Sequence, residues 1–308
     1  MKFAAVQLLL ASMLLGRAAH ASEPAPDAGA QAPTPPARQL LRLVFPVGVM
    51  EKPEAGSGPS LRTILPKSRW PWLGQGANAS QAVAGHVEAI RALRLDDTHV
   101  ALVTHDTPVD DCGSYGCPTA LGAYFFALDD KRWRLATRVD RADYLGAGGL
   151  LAARITVTPW PGHGLVMAIP AEDDIQGHAW ASVNFLGLLP DRLSFAFNAQ
   201  TSADNQTGYG IQVGDERSPR DFACPEVLAP AFKAPPGPVS TRNENGCQRW
   251  HARWRIEDDA LLFDFDWVRR RVEDARLQPI QRWKTHARLE WRDDKLKVVA
   301  GRLPSEIP

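Results

Sequence analysis

The chain carries no net charge, because 35 lysines and arginines balance 35 aspartates and glutamates. A domain without a global field has no long-range means of drawing in nucleic acid, so no nucleic-acid partner is expected. Long hydrophobic runs are also missing. Phe3 to Leu15 is mostly apolar but shorter than the about 20 residues that a membrane-spanning helix takes. No later run reaches that length, so no transmembrane span is expected in the mature chain.

Cysteine is scarce, at four residues, and no C-x-x-C or H-x-x-x-H pair occurs. The usual zinc and thioredoxin patterns are thereby excluded. There is no H-E-x-x-H, P-loop or Rossmann glycine fingerprint. Gly113-Ser114-Tyr115-Gly116 departs from G-x-S-x-G and lies between two cysteines rather than between a strand and a helix. No metal, cofactor or catalytic residue is assigned.

What is present begins with residues 1–21. Lys2, the apolar run and the small-residue exit Ala19-His20-Ala21 form a signal-peptide pattern, with cleavage before Ser22. Removal of Lys2 and Arg17 leaves 33 basic against 35 acidic residues. Residues 22–38 are a Pro/Ala-rich tether too poor in apolar side chains to offset the entropy of ordering. Residues 39–303 are expected to form one β-rich domain, followed by a short tail at 304–308. The expected location is periplasmic or extracellular.

An even cysteine count in an oxidising compartment implies disulfides. Nearest-neighbour pairing gives Cys112–Cys117 and Cys224–Cys247, although sequence alone allows two other connectivities. Loop entropy assigns about 2 kcal/mol to the short loop and about 3.5 kcal/mol to the long one. The long loop, 224–247, holds Pro225, Pro230, Pro235, Pro236 and Pro238, which no central strand would tolerate.

Four Asp-Asp pairs, at 96–97, 129–130, 258–259 and 293–294, each separate two alternating apolar stretches. Aspartate tolerates turn geometry. Folding the chain about Asp258-Asp259 sets Ile256 on Leu261, Trp254 on Phe263, Ala252 on Phe265 and Trp250 on Trp267. The other face then opposes Arg253 to Asp264 and His251 to Asp266, as a half-buried antiparallel ribbon requires. Asp293-Asp294 similarly brings Trp291 to Leu296, Leu289 to Val298 and Glu290 to Lys297. Asp129-Asp130 sets Phe126 on Trp133 and Tyr124 on Leu135, and Asp96-Asp97 sets Leu93 on Val100.

Further hairpins turn at Pro161–Gly164 and Pro190–Arg192, and Leu40 to Val49 reads as a first strand. The turn spacing becomes irregular, so no sequence repeat is assigned. Asn78 to Gly85 and Val272 to Leu277 read as short helices. The fold expected is all-β: an antiparallel, hairpin-rich sandwich, barrel or propeller-like domain with very little helix.

Two polar loops are candidate ligand-binding segments, since loops on a β scaffold commonly carry recognition. One, Thr104 to Pro118, supplies His105, Asp110, Asp111 and Tyr115. The other, Thr201 to Glu216, supplies Asp204, Asn205 and Tyr209. Trp133, Trp250, Trp254, Trp267, Trp283 and Trp291 fall on apolar faces and are read as core. Trp70-Pro71-Trp72, in an irregular stretch, is the exposed aromatic candidate, with a plug for one end of the core as the alternative.

Charge is uneven: Gln248 to Arg302 holds fourteen basic residues against ten acidic, whereas Asp96 to Glu216 holds seven against sixteen. The reading is a non-catalytic exported domain that recognises a protein or cell-envelope component. The alternative is a hydrolase of envelope polysaccharide or peptide using loop carboxylates. Export is checked directly: N-terminal sequencing of protein recovered from the periplasm or medium should begin at Ser22. A retained Met1 on that protein would refute cleavage.

Overall fold

The computed structural model describes residues 34–52, 57–70, 82–109, 119–145, 154–175, 178–205, 211–214, 220–241, 246–293 and 295–303. A helix, α1 (Ala37–Val44), precedes a six-stranded antiparallel meander. Its strands are β1 (Val49–Met50), β2 (Ser60–Pro66), β3 (Ala82–Arg94), β4 (His99–Pro108), β5 (Thr119–Asp129) and β6 (Arg132–Leu145). A second sheet opens with β7 (Thr156–Trp160), β8 (Gly164–Ile175), β9 (His178–Leu188) and β10 (Leu193–Asn205).

The chain then leaves the sheet for a small unit of β11 (Ile211–Val213), β12 (Arg220–Phe222), α2 (Cys224–Val227) and β13 (Val239–Thr241). It returns as β14 (Cys247–Glu257) and β15 (Ala260–Arg270). A tight ribbon of β16 (Val272–Glu273) and β17 (Arg276–Leu277) leads to β18 (Gln281–Arg292) and β19 (Lys295–Gly301). The second sheet therefore runs β19-β18-β15-β14-β10-β9-β8-β7. The architecture is antiparallel, sandwich-like and nearly free of helix. Among the described residues no helix is long and apolar enough to cross a membrane.

Burial sorts the strands into layers. In β4, Val100 and Leu102 pack towards α1, while Ala101 and Val103 pack towards β8 and β9. In β5, Tyr124 and Phe126 take the first side, and Ala123 and Phe125 the second. β8 and β9 are also covered twice: Met167, Ile169, Leu186 and Leu188 face the first sheet, whereas Val166, Ala168, Val183 and Phe185 face away from it. Continuous apolar runs in these strands are what two-sided burial requires. At this junction the fully buried Asn184 turns its amide to donate to Asp143 at 2.8 Å, whose carboxyl burial raises above its ordinary pKa.

The eight-stranded sheet closes on itself. β10 and β14 pair only at Ser202↔His251, Ala203↔Trp250 and Asp204↔Arg249. Phe185 of β9 nevertheless meets Phe263 of β15 at 6.1 Å between ring centroids. These strands stand three places apart in the sheet order, a separation of about 14 Å if the sheet were flat. The β7–β10 half thus folds over the half containing β14, β15, β18 and β19, and the aromatic cluster fills the space between. Gly164 makes the β7–β8 turn possible: its φ is +76°, and a Cβ there would lie 2.2 Å from the Leu188 carbonyl oxygen.

The β14–β15 and β18–β19 hairpins have the register expected from the sequence, including Trp254↔Phe263, His251↔Asp266 and Trp291↔Leu296. Two other hairpins differ. The β5–β6 turn lies at Asp130-Lys131, both with positive φ, so Phe126 opposes Leu135 rather than Trp133. This two-residue slip preserves which face each side chain occupies. At the β3–β4 turn, Asp96 Oδ1 accepts from the Thr98 N–H at 2.7 Å, which makes a wider turn and sets Leu93 opposite Ala101.

Three local expectations are corrected. Residues 40–44 are helical, because Leu40, Leu41 and Val44 line one buried face while Arg38 and Arg42 point outward. Residues 82–85 open β3 rather than close a helix; 78–81 lie outside the described residues. Val272 to Leu277 is a hairpin, with Asp274 and Ala275 at φ of 51° and 53°. The Cys224–Cys247 disulfide is present, and both sulfurs sit in a small core with Val213, Val227, Leu228 and Val239. Cys112 and Cys117 lie outside the described residues. Trp250 and Trp267 are buried, and Trp133, Trp254, Trp283 and Trp291 are partly buried against the cores, as expected. Trp70 is fully buried rather than exposed, since its indole packs beneath α1 and donates to the Asp106 carbonyl.

Beside Trp70 lies a buried ion pair. The Arg69 guanidinium, 2% exposed, donates to Asp106, to Asp140 at 2.7 Å and to the Tyr124 hydroxyl at 3.1 Å. Burial raises Asp106 to about 6, outweighing the attraction of Arg69, and raises Tyr124 to about 12. The native state therefore holds the Asp106 proton more tightly than the unfolded chain. Stability from this group is present at low pH and lost as pH rises through about 6.

Replacing Arg69 with methionine leaves Asp106 without its counter-ion and should lower the unfolding free energy by about 3–5 kcal/mol at neutral pH and above. The variant's Asp106 should hold its proton to still higher pH, so the deficit should be smaller at about pH 5 than at about pH 8. Denaturant titrations at the two pH values check this; equal deficits would refute it.

Candidate binding face

Of the candidate residues read from the sequence, His105 is described with its side chain, and Asp204 and Asn205 by their backbone. His105 stands on β4 directly opposite Glu88 of β3, with Nε2 3.3 Å from a carboxylate oxygen. Glu88 also accepts the Gly58 N–H at 2.7 Å. Burial opposes its charge, but the His105 and Gly58 contacts hold its pKa below the ordinary value. In the next row His86 Nδ1 meets Glu51 at 2.6 Å. These pairs border a recess of about 330 Å³ shared with Lys52, Ser57 and Ser60. Each of these two carboxylates has its own imidazole partner.

Asp204 and Asn205 end β10, in the other sheet from His105, and Asp204 is the backbone partner of Arg249. Their side chains lie outside the described residues, as do Asp110, Asp111, Tyr115 and Tyr209. Among the described residues no group of three or more histidine, cysteine or acidic side chains is placed to hold a metal ion.

A different surface concentrates charge. Along β14, Trp250, Ala252, Trp254 and Ile256 point inward, so the outward positions from 249 to 255 read Arg, His, Arg, Arg. Along β18, Trp283, Ala287, Leu289 and Trp291 contribute to the core, and the outward positions from 282 to 288 read Arg, Lys, His, Arg. Between these basic strands, β15 presents Asp264 and Asp266. Arg255 bonds Asp264 at 2.6 Å, and Asp266 lies 3.3 Å from Lys284 and 3.6 Å from both His251 and Arg253. Arg255 is also bonded to Glu257 at 3.0 Å, and the excess of positive charge rests on Arg249 and Arg282, for which no ion pair occurs among the described residues. The outer strand adds Lys295 and Lys297, which also guard a sheet edge against pairing with another chain.

Both ends of this face are indented. One end has a groove of about 420 Å³ lined by Arg249, His251, Trp267, Arg282, Trp283 and Lys284, among others. On the inward side of the same strands the Trp267 and Trp283 rings stack at 5.4 Å, and the Arg269 guanidinium lies 5.2 Å from the Trp283 ring. The other end has an open cleft of about 640 Å³, where His163 meets Asp258, Asp259, Arg288, Glu290 and Trp291. The His163 ring is 4.5 Å from Trp291. Burial lowers the His163 pKa despite the opposing charge of Asp259. Hydrogen bonds from Arg288 and Arg292 hold Glu290 below the ordinary carboxylate range, so it is an ionised acceptor rather than a proton donor at neutral pH.

The chain matches no protein-family model, no curated protein and no solved structure with which it was compared. The signal for this face was present in the sequence as the basic bias after Gln248. A second signal was missed. His-Ala-Arg, four residues, Asp-Asp, one residue and Leu occurs at 251–261 and again at 286–296. Turn spacing across the whole chain conceals this repeat, because it belongs to two hairpins only.

Proposed function

We propose that the chain is an exported, non-catalytic recognition domain that binds an anionic component of the cell envelope through the outward face of β14, β15, β18 and β19. The observation that carries this reading is the run of basic outward residues on both strands flanking a narrower acidic column. In a chain of zero net charge, a field confined to one face favours a charged ligand at short range. The leader-like residues 1–21 and the Cys224–Cys247 bridge fit an oxidising compartment outside the cytoplasm.

The second reading, a hydrolase, draws on the cleft, to which His163, Asp259 and Glu290 come from three different elements. Against it, Glu290 is tied to two guanidiniums.

Purified mature protein should sediment with isolated anionic envelope material at about 0.1 M ionic strength. It should be released at about 1 M, where the Debye length falls from about 10 Å to about 3 Å. Salt-insensitive retention, or no retention at low salt, refutes the reading. Release of soluble sugar or peptide fragments by the wild type, abolished in D259N/E290Q, would favour the hydrolase instead.

A further inference from the structure

We propose that the basic face is a track for an extended acidic polysaccharide, whose carboxylates sit on two equivalent His-x-Arg rows. This rests on the envelope-recognition reading and names the ligand class for the same face.

The two rows come from the repeated hairpins. β14 and β18 are each antiparallel to β15, so they run parallel to one another, two strand spacings or about 10 Å apart. His251 lies in one row with Asp266 and Lys284, and Arg253 lies in the next with Asp264 and His286. The second copy is therefore advanced by two residues, about 7 Å along the strands. A recognition element repeated by such a displacement matches a ligand repeated by displacement, and the lateral step is comparable with the length of a disaccharide unit. Guanidinium groups suit carboxylates because they offer a planar pair of donors.

The copies differ where charge is decided. In the second hairpin a bulge sets Ala300 opposite Arg288, where the first hairpin sets Asp264 opposite Arg253. Among the described residues β18 is thus paired with acid from β15 and with its own Glu290, which leaves an excess of positive charge for a ligand. The face is also long: from Arg282 in the groove to Trp291 in the cleft, β18 spans about 30 Å.

Other polyanions fit less well. The outward positions carry Leu262, Val268 and Val299 but no aromatic residue, whereas protein interfaces depend on buried aromatic anchors. Single-stranded nucleic acid calls for stacking platforms along the groove, and the outward positions of these strands supply none.

The test uses polygalacturonate as the probe, with dextran, polyglutamate and duplex DNA for comparison, titrated into the mature protein at low salt. Polygalacturonate should bind, dextran should not, and polyglutamate and DNA should bind more weakly. R253S/R288S removes one arginine from each copy and should weaken polygalacturonate binding by about tenfold or more, because linked subsites multiply. R249S/R282S, which breaks no ion pair among the described residues, should weaken it while preserving the melting temperature, and so separates binding from folding. Equal or tighter binding of polyglutamate or DNA overturns the proposal, as does unchanged affinity in R249S/R282S. Envelope binding that polygalacturonate does not compete overturns this inference alone; absence of envelope binding overturns the earlier reading.

Discussion

Burial of β8 and β9 on both faces is the constraint on which the molecule depends. Their alternate side chains belong to two different cores, one shared with β4 and β5 and the other with β14, β15 and β18. Neither core is complete without this middle layer. A polar substitution there disturbs whichever core it faces, and a one-residue slip would exchange the two sets of side chains. Asn184 is the exception that the layer tolerates, because Asp143 satisfies it across the junction.

Legibility in the sequence followed the same division. Strands with one wet face declare themselves by alternation, and the β14–β15 register was readable pair by pair because charge complementarity on one side agreed with aromatic packing on the other. The doubly buried strands show long apolar runs that identify strand but not partner. The α1 segment is compact enough that Leu40, Leu41 and Val44 look like part of such a run, and only packing beneath the first sheet reveals the helix. Arg69 gave no local sign, since its partners Asp106, Tyr124 and Asp140 lie far along the chain.

The candidate binding surface was partly legible for a related reason. The basic bias after Gln248 was countable, but sequence order mixes inward tryptophans with outward arginines and hides the column they form. Pairing β14 and β18 around β15 turns a linear bias into a patterned face. His105, by contrast, was selected as a loop residue and stands in a strand, where Glu88 opposes it directly. A polar residue just before a turn-rich segment can belong to the strand that ends there, and then its cross-strand neighbour determines its chemistry.

Alternation along β14 and β18 has a consequence for how such a protein can change over generations. Every second residue holds the aromatic core, and the residues between them touch solvent and each other. Mutations at the outward positions are consequently shielded from selection for folding, since exposed ion pairs contribute little to stability. The charge pattern of the face can drift one outward codon at a time while the tryptophan lattice beneath stays fixed.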